Sequence, residues 1–429
     1  MSPIEDFLEG AALARTLDEQ DELKAYRDEF HLAEGEIYFA GNSLGLVSKR
    51  AEESLQSIVD AWRQLGVRGW TEGELPWLSL ARQIGTAMAP LIGVSPAEVI
   101  ATNTTTINLH QLLATLYDPR SSRNALVADR LIFPSDRYAL QSHLKSHGLE
   151  PRTHLRLVPS RDGYTLSEDD ILAAMTDDVQ LALLPSVVHH SAQLLDIPRL
   201  AQEAQRRGVL LGIDCSHSIG IVPHRFSDDD IDFAFWCTYK YLNGGPGSVA
   251  GLFLNERHFG REPGMAGWFG CAEEDLFSGS PTLTPARDAG AMQISTPCVA
   301  SMAPLIGSLE MINAAGIERI REKSLRMTQF LMDLITCGLG EYGFEFANPL
   351  SDHRRGGHIA LVHEAALQIS KALRAASAVA DFRPPDIIRL APSPLYTSFQ
   401  DCYEAISRLQ QIMKDRTFER FSDEPGVVP

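Results

Sequence analysis

Between residues 98 and 255, unbroken apolar runs alternate with stretches of helical spacing. The runs include "NALVADRLIF" (124–133), "VQLALLPSV" (179–187), "GVLLGID" (208–214), "IDFAFWCTYK" (231–240) and "SVAGLFLN" (248–255). "IPRLAQEAQRRG" (197–208) is one of the helical stretches between them. A strand that is apolar along its whole length is covered on both faces, and helical crossovers join parallel neighbours. The pattern predicts an α/β fold with a mostly parallel central sheet.

The chain has 429 residues, more than one compact core accommodates. The pattern changes after residue 300, where a long helix over 300–336, broken near Gly316, leads into a smaller α/β segment. That segment holds "GGHIALVH" (356–363) and "DIIRLAPSPLY" (386–396). The expected division is an N-terminal arm over 1–40 that joins the small domain, a large domain over 41–305 and a small C-terminal domain over 306–429. Residues 3–30 read as helical and charged, and the tail "SDEPGVVP" as frayed.

Acidic residues outnumber basic ones by 56 to 38, a net charge of −18. That field argues against nucleic acid or an anionic membrane as the partner, though a few local arginines can still hold a small anion. No apolar run is long enough to span a bilayer, and "MSPIEDFLEG" has no basic region followed by an apolar core. The six cysteines are scattered with no CxxC, as expected of buried thiols in a reducing cytoplasm.

"FWCTYKYLNGGPGS" (235–248) carries an apolar run to Tyr239 and Lys240 and then turns on glycines. Open α/β sheets bind ligands beyond the carboxyl ends of their strands. Asp214 ends the preceding strand, so parallel neighbours would bring Asp214 and Lys240 to one edge. Such a pair suits pyridoxal phosphate. The lysine condenses with the aldehyde, and the carboxylate keeps the pyridine nitrogen protonated. The alternatives are a solvated surface lysine and an aspartate that caps a helix. "ATNTTTINLH" sets Thr104, Thr105 and Thr106 before a helix, where free N–H groups bind phosphate; the alternative is an ordinary N-cap.

With these residues in hand, the chain resembles the kynureninases, pyridoxal-phosphate enzymes of fold type I in the class V aminotransferase group. Nine segments carry the resemblance in family order: "GNSLGL" (41–46), "GWTEGELPW" (69–77), "TNTTTINLH" (102–110), "FPSD" (133–136), "DCSH" (214–217), "WCTYKYLNGGPG" (236–247), "GWFG" (267–270), "ISTP" (294–297) and "IRLAPSPLY" (388–396). The resemblance implies Lys240 as the lysine that bonds the cofactor, Asp214 at the pyridine nitrogen and His217 beside it. It implies Phe133 against the ring, with Asp136 in the same wall. Thr105, Thr106 and Tyr239 would hold the phosphate, with Trp268 and Thr296 reaching in from the second subunit of a homodimer. Tyr239 counts with Lys240 and Asp214 as catalytic. Arg389 would clamp the substrate α-carboxylate, bordered by Asn42 and Ser43. The implied reaction is hydrolysis of kynurenine to anthranilate and L-alanine, in tryptophan catabolism or NAD biosynthesis, with no metal. Trp70 and Cys271 stand where some members have histidine, and Thr296 where some have asparagine, which implies kynurenine over its 3-hydroxy form.

"LLPSVVHHSAQLLDI" (183–197) departs from the family turn and places His189 and His190 there, either as drift in a turn or as pocket groups for a modified substrate. A cysteine desulfurase or aminotransferase is the rival enzyme, although desulfurases place a histidine before the lysine and Cys337 is the one remote candidate for their reactive thiol. A degenerate binding dimer is the rival without chemistry. His143 and His147 are expected on a solvated helix face.

Overall fold

The structure is a computed structural model that describes residues 7–424. The start of the acidic arm and the end of the tail expected to fray lie outside the described residues. Seven strands form the central sheet. From one edge they run Val99–Ala101, Gly251–Leu254, Phe233–Trp236, Leu210–Asp214, Val179–Pro185, Ala125–Asp129 and Leu155–Val158. Every pairing is parallel except those of Gly251–Leu254, which runs antiparallel to both neighbours. The apolar runs are buried along nearly their whole length, which is why they read as continuous rather than alternating. The strand Leu155–Val158 has no such run, because it is an edge with two half-buried residues.

The break expected near Gly316 is present. Helices Val299–Ala315 and Ile317–Leu339 meet there, and Gly316 takes φ +81°, a conformation costly for a side chain. A second apolar cluster surrounds a four-stranded antiparallel sheet ordered Asp381–Arg383, Ile387–Leu390, Ile359–Val362, Glu345–Phe346. The arm contributes Ala14, Leu17, Ile37 and Phe39 to this cluster, and Leu23 and Phe30 to the cluster of the large sheet. Helix Glu9–Glu19 ends beside helix Phe399–Lys414, and the Asp18 carboxylate accepts from the N–H groups of Phe399 (2.7 Å) and Gln400 (3.0 Å). A buried ion pair, Lys323 to Asp21 at 2.7 Å, ties the same junction.

Loop 41–46 packs on the glycine turn after Lys240. The Gly45 N–H donates to the Tyr239 carbonyl at 2.8 Å. A Cβ on Gly45 would lie 2.2 Å from Asn243 Oδ1 and 2.3 Å from the Lys240 carbonyl. We predict that Gly45→Ala lowers stability by about 1–3 kcal/mol by forcing these loops apart. Urea unfolding checks this, and an unchanged midpoint would contradict the close approach.

Candidate active site

Strands Leu210–Asp214 and Phe233–Trp236 are parallel neighbours with Asp214 opposite Phe235. Their carboxyl ends therefore open on one side, and the turn beyond Trp236 brings Lys240 back to that edge. Both residues line one cavity of about 380 Å³. Lys240 Nζ lies 2.9 Å from His217 Nε2 and 6.0 Å from the centre of the Phe133 ring. Burial, with help from the nearby Lys240 and Arg389 charges, holds His217 well below the ordinary histidine range. The ring is neutral, and with its proton on Nδ1 its Nε2 accepts from the Lys240 ammonium.

Asp214 Oδ1 accepts from the Ser216 N–H at 2.9 Å. Asp136, in the first turn of helix Pro134–Ser146, is buried beside it. Burial raises the Asp136 carboxyl well above its usual range, and a hydrogen bond shared with Asp214 raises it further. Burial and the neighbouring Asp214 charge therefore favour the protonated form of Asp136. Asp136 Oδ2 is buried with no partner. Behind them, fully buried Asp129 at the end of its strand is pushed up by burial to about 7. Nothing in the sequence singled out Asp129. A strand-end aspartate reads as a cap until its neighbours are known.

Two helices begin at the cavity. Thr104, the N-cap of Thr105–Leu116, makes no side-chain capping bond. The hydroxyls of Thr106 and Ser135 meet at 2.5 Å, joining the start of that helix to the start of Pro134–Ser146. Free N–H groups and hydroxyls at a helix start form an anion cradle. Phe133 lines the cavity between this cradle and Lys240. Tyr239 lines it too, its phenol pushed up by neighbouring Cys237 and by burial, so it stays an O–H donor.

The third wall comes from the small sheet and loop 41–46. Arg389 lines the cavity although its side chain is wholly enclosed. It is held by Asp381 and by the His189 carbonyl at 2.6 Å. Asn42 is fully buried, lines the cavity, and has no partner for either side-chain polar atom. Ser43 borders it and donates to Asp381. Asp381 and Arg383 are further residues missed in the sequence. Their signal is the alternation in "DFRPPDIIR" (381–389), a hairpin that sets Asp381 opposite Arg389.

These residues answer the chemistry of pyridoxal phosphate. The Asp214 carboxylate fits a protonated ring nitrogen, the threonines fit a phosphate, and Lys240 lines the same cavity. The cavity gathers Asn42, Ser43, Thr105, Thr106, Phe133, Asp136, Asp214, His217, Tyr239, Lys240 and Arg389. It does not include Trp70, Trp268 or Thr296 of the same chain. Trp70 packs edge-on against Trp77 and tilts onto Phe269. Trp268 lines a separate shallow concavity with Cys271, and Thr296 is exposed. The reason is local. Gly267 lies flat on Ile294, where a Cβ would sit 2.1 Å from the Ile294 carbonyl, so segments 267–270 and 294–296 pack on one another.

Two histidine expectations change. His189 lines the cavity, so its turn is part of the site. His143 is buried against Tyr117 rather than solvated, and burial lowers it to about 4.

The model of the kynureninase C-terminal domain matches residues 320–409. A kynureninase of Geobacillus thermodenitrificans is 53% identical over 97% of this chain and 97% of its own. One from Bacillus anthracis is 53% identical over 96% of both. Among solved structures, a C-DES mutant with glycine covalently linked to its PLP cofactor superposes with a TM-score of 0.77 at 17% identity, covering 90% of this chain and 98% of that one. A cysteine desulfurase from Thermococcus onnurineus gives 0.77 at 16%, covering 91% and 98%. These two likenesses are of fold. Both are fold-type-I pyridoxal-phosphate folds, the class expected from the strand pattern and motifs.

Asp129 binds in the folded chain a proton that it releases at ordinary carboxylate pH when unfolded. Its folded pKa lies above the unfolded one, so its contribution is largest at low pH and declines as pH rises toward about 7. We predict that wild-type stability falls between about pH 5 and about pH 8 by about 1–3 kcal/mol more than that of Asp129→Asn. Urea unfolding at the two pH values measures this, and equal slopes would contradict it.

Proposed function

The chain belongs to the kynureninase family, and from that premise we propose that it hydrolyses the Cβ–Cγ bond of L-kynurenine to anthranilate and L-alanine, with pyridoxal phosphate as cofactor. The observation that carries this is the meeting, in one cavity, of the Lys240 amine, the Asp136–Asp214 pair, the threonine cradle and Arg389.

When bound, the cofactor supplies an aldehyde that takes the substrate amine and a protonated pyridine ring that draws electrons from Cα. Thr105, Thr106 and Tyr239 would hold its phosphate, Phe133 would face its ring, and Asp214 backed by Asp136 would keep its nitrogen protonated. Arg389 binds the α-carboxylate, with Asn42 and Ser43 at its border. The Lys240 amine moves the Cα proton, while His217 accepts a hydrogen bond from that amine in its resting position. Tyr239 keeps its phenolic proton and donates a hydrogen bond from it as charge develops. Water adds to the side-chain ketone, the Cβ–Cγ bond breaks, and Cβ takes a proton to leave as alanine.

A homodimer completes the site in this reading. Trp268 is 51% exposed and Phe277 73%, and the two rings meet edge to face, an apolar pair suited to burial against a second copy. Trp268, Thr296 and Trp70 then border the partner's cavity, and an indole at Trp70 favours kynurenine over its 3-hydroxy form. The two apolar clusters support a large and a small domain: the large one's cluster runs on through Ile320 and takes in Leu23 and Phe30 of the arm, while the small one's takes in Ala14, Leu17, Ile37 and Phe39. The buried thiols Cys215, Cys237, Cys271 and Cys402 carry no disulfide, in keeping with a cytoplasmic enzyme of tryptophan catabolism. Among the described residues no helix is long and apolar enough to cross a membrane. The desulfurase alternative is not favoured: Tyr239 stands where a histidine would precede the lysine, and Cys337 lies within helix Ile317–Leu339.

Reconstituted enzyme should release anthranilate and alanine in equal amounts from kynurenine, and faster than from 3-hydroxykynurenine. Lys240→Ala should lose about a thousandfold or more in rate, together with the visible absorption of lysine-bound cofactor. Persulfide production from cysteine without alanine release from kynurenine would overturn the proposal.

A further inference from the structure

The carboxylate end of the cavity holds more charge than one clamp requires. Asp381 and Arg389 face each other on neighbouring antiparallel strands, and Arg383 lies two residues beyond Asp381, on the same face of its strand. Both terminal nitrogens of Arg389 are engaged. Nη1 donates to the His189 carbonyl at 2.6 Å, and Nη2 donates to Ser43 Oγ at 3.1 Å and to Asp381. Nε is buried with no partner. Arg389 alone therefore cannot offer a free two-nitrogen fork.

Arg383 lies on the same oxygens. Its Nη2 donates to Ser43 Oγ at 3.2 Å and to Asp381 Oδ2 at 3.1 Å. Its Nε is also buried without a partner. Its side chain lines the cavity and is 27% exposed, whereas that of Arg389 is 0% exposed. The accessible arginine is thus Arg383. Burial would raise the Asp381 carboxyl, but Arg389 and Arg383 hold it below its usual range, so it is ionised. Burial and the arginine charges keep His189, His190 and His358 neutral. Two guanidiniums and one carboxylate leave a single positive charge, which one substrate carboxylate neutralises.

We propose that the substrate α-carboxylate is received by Arg383 together with Arg389, and that Asp381 reduces the charge of the arginine pair to one so that the cavity selects a mono-anionic amino acid. This rests on the reading of an amino acid substrate given above. It makes Arg383 a specificity-determining residue and Asp381 the counter-charge that the incoming carboxylate shares its donors with.

The test compares two ligands that lack the reactive ketone, L-homophenylalanine and phenylpropylamine, which differ only in the α-carboxylate. Each is titrated into holoenzyme, and the change in cofactor absorption gives its affinity. The ratio of the two affinities within one variant does not depend on the folded fraction. Wild type should prefer homophenylalanine. Arg383→Gln should reduce that preference by about tenfold or more, consistent with loss of one charge-assisted bond, and Arg383→Lys should retain most of it. Asp381→Asn should move the preference the opposite way. If Arg383→Gln weakens both ligands equally, or neither, the two-arginine receptor is wrong while wild-type preference and alanine release stand. If wild type itself shows no preference for the carboxylate, this inference falls along with the amino acid reading beneath it.

Discussion

The parallel pairing of Leu210–Asp214 with Phe233–Trp236 is the constraint on which the site depends. One register decides that an acid and, four residues past the neighbouring strand, a lysine open on the same side of the sheet. A slip of one residue would turn Asp214 to the opposite face. The buried flanks of both strands resist that slip, because Ile213 and Phe235 are wholly enclosed and a shift would break their packing on both faces of the sheet. Packing energy spread over many apolar contacts thus fixes the position of two polar groups.

Burial then shapes the chemistry of those groups. Asp136 and Asp214 are close enough to share a proton, and Asp129 behind them is itself driven toward neutrality. A wall of acids that holds less than its full negative charge is incomplete until a cation arrives, and a protonated heterocycle is such a cation. On the opposite side two arginines against one aspartate leave a positive excess. The cavity is therefore polarised, acid toward the large sheet and basic toward the small one. An amino acid joined to a cofactor, with its carboxylate at the far end, matches that polarity.

Much of this was legible in the sequence. Most strands of the central sheet, the break at Gly316, and the convergence of Lys240, Asp214, the threonine triplet and Arg389 follow from apolar runs and motif order. The antiparallel direction of Gly251–Leu254 was not, because an apolar run carries no direction. Asp129, Asp381 and Arg383 were missed for a common reason. A charged residue in a sequence is taken as solvated, and burial is a property of what packs around it. Trp70, Trp268 and Thr296 were expected at the site from the motifs, yet the chain keeps them out of the cavity, since motif order does not fix where a side chain lies in space.

The central claim is that the acid pair serves the ring nitrogen of the same cofactor whose aldehyde meets Lys240. The most direct measurement is magnetic resonance of holoenzyme carrying cofactor isotopically labelled at that nitrogen. The account predicts a protonated ring nitrogen in the wild type and an unprotonated one in Asp214→Ala. An unprotonated nitrogen in the wild type, or a proton that survives loss of Asp214, would contradict it.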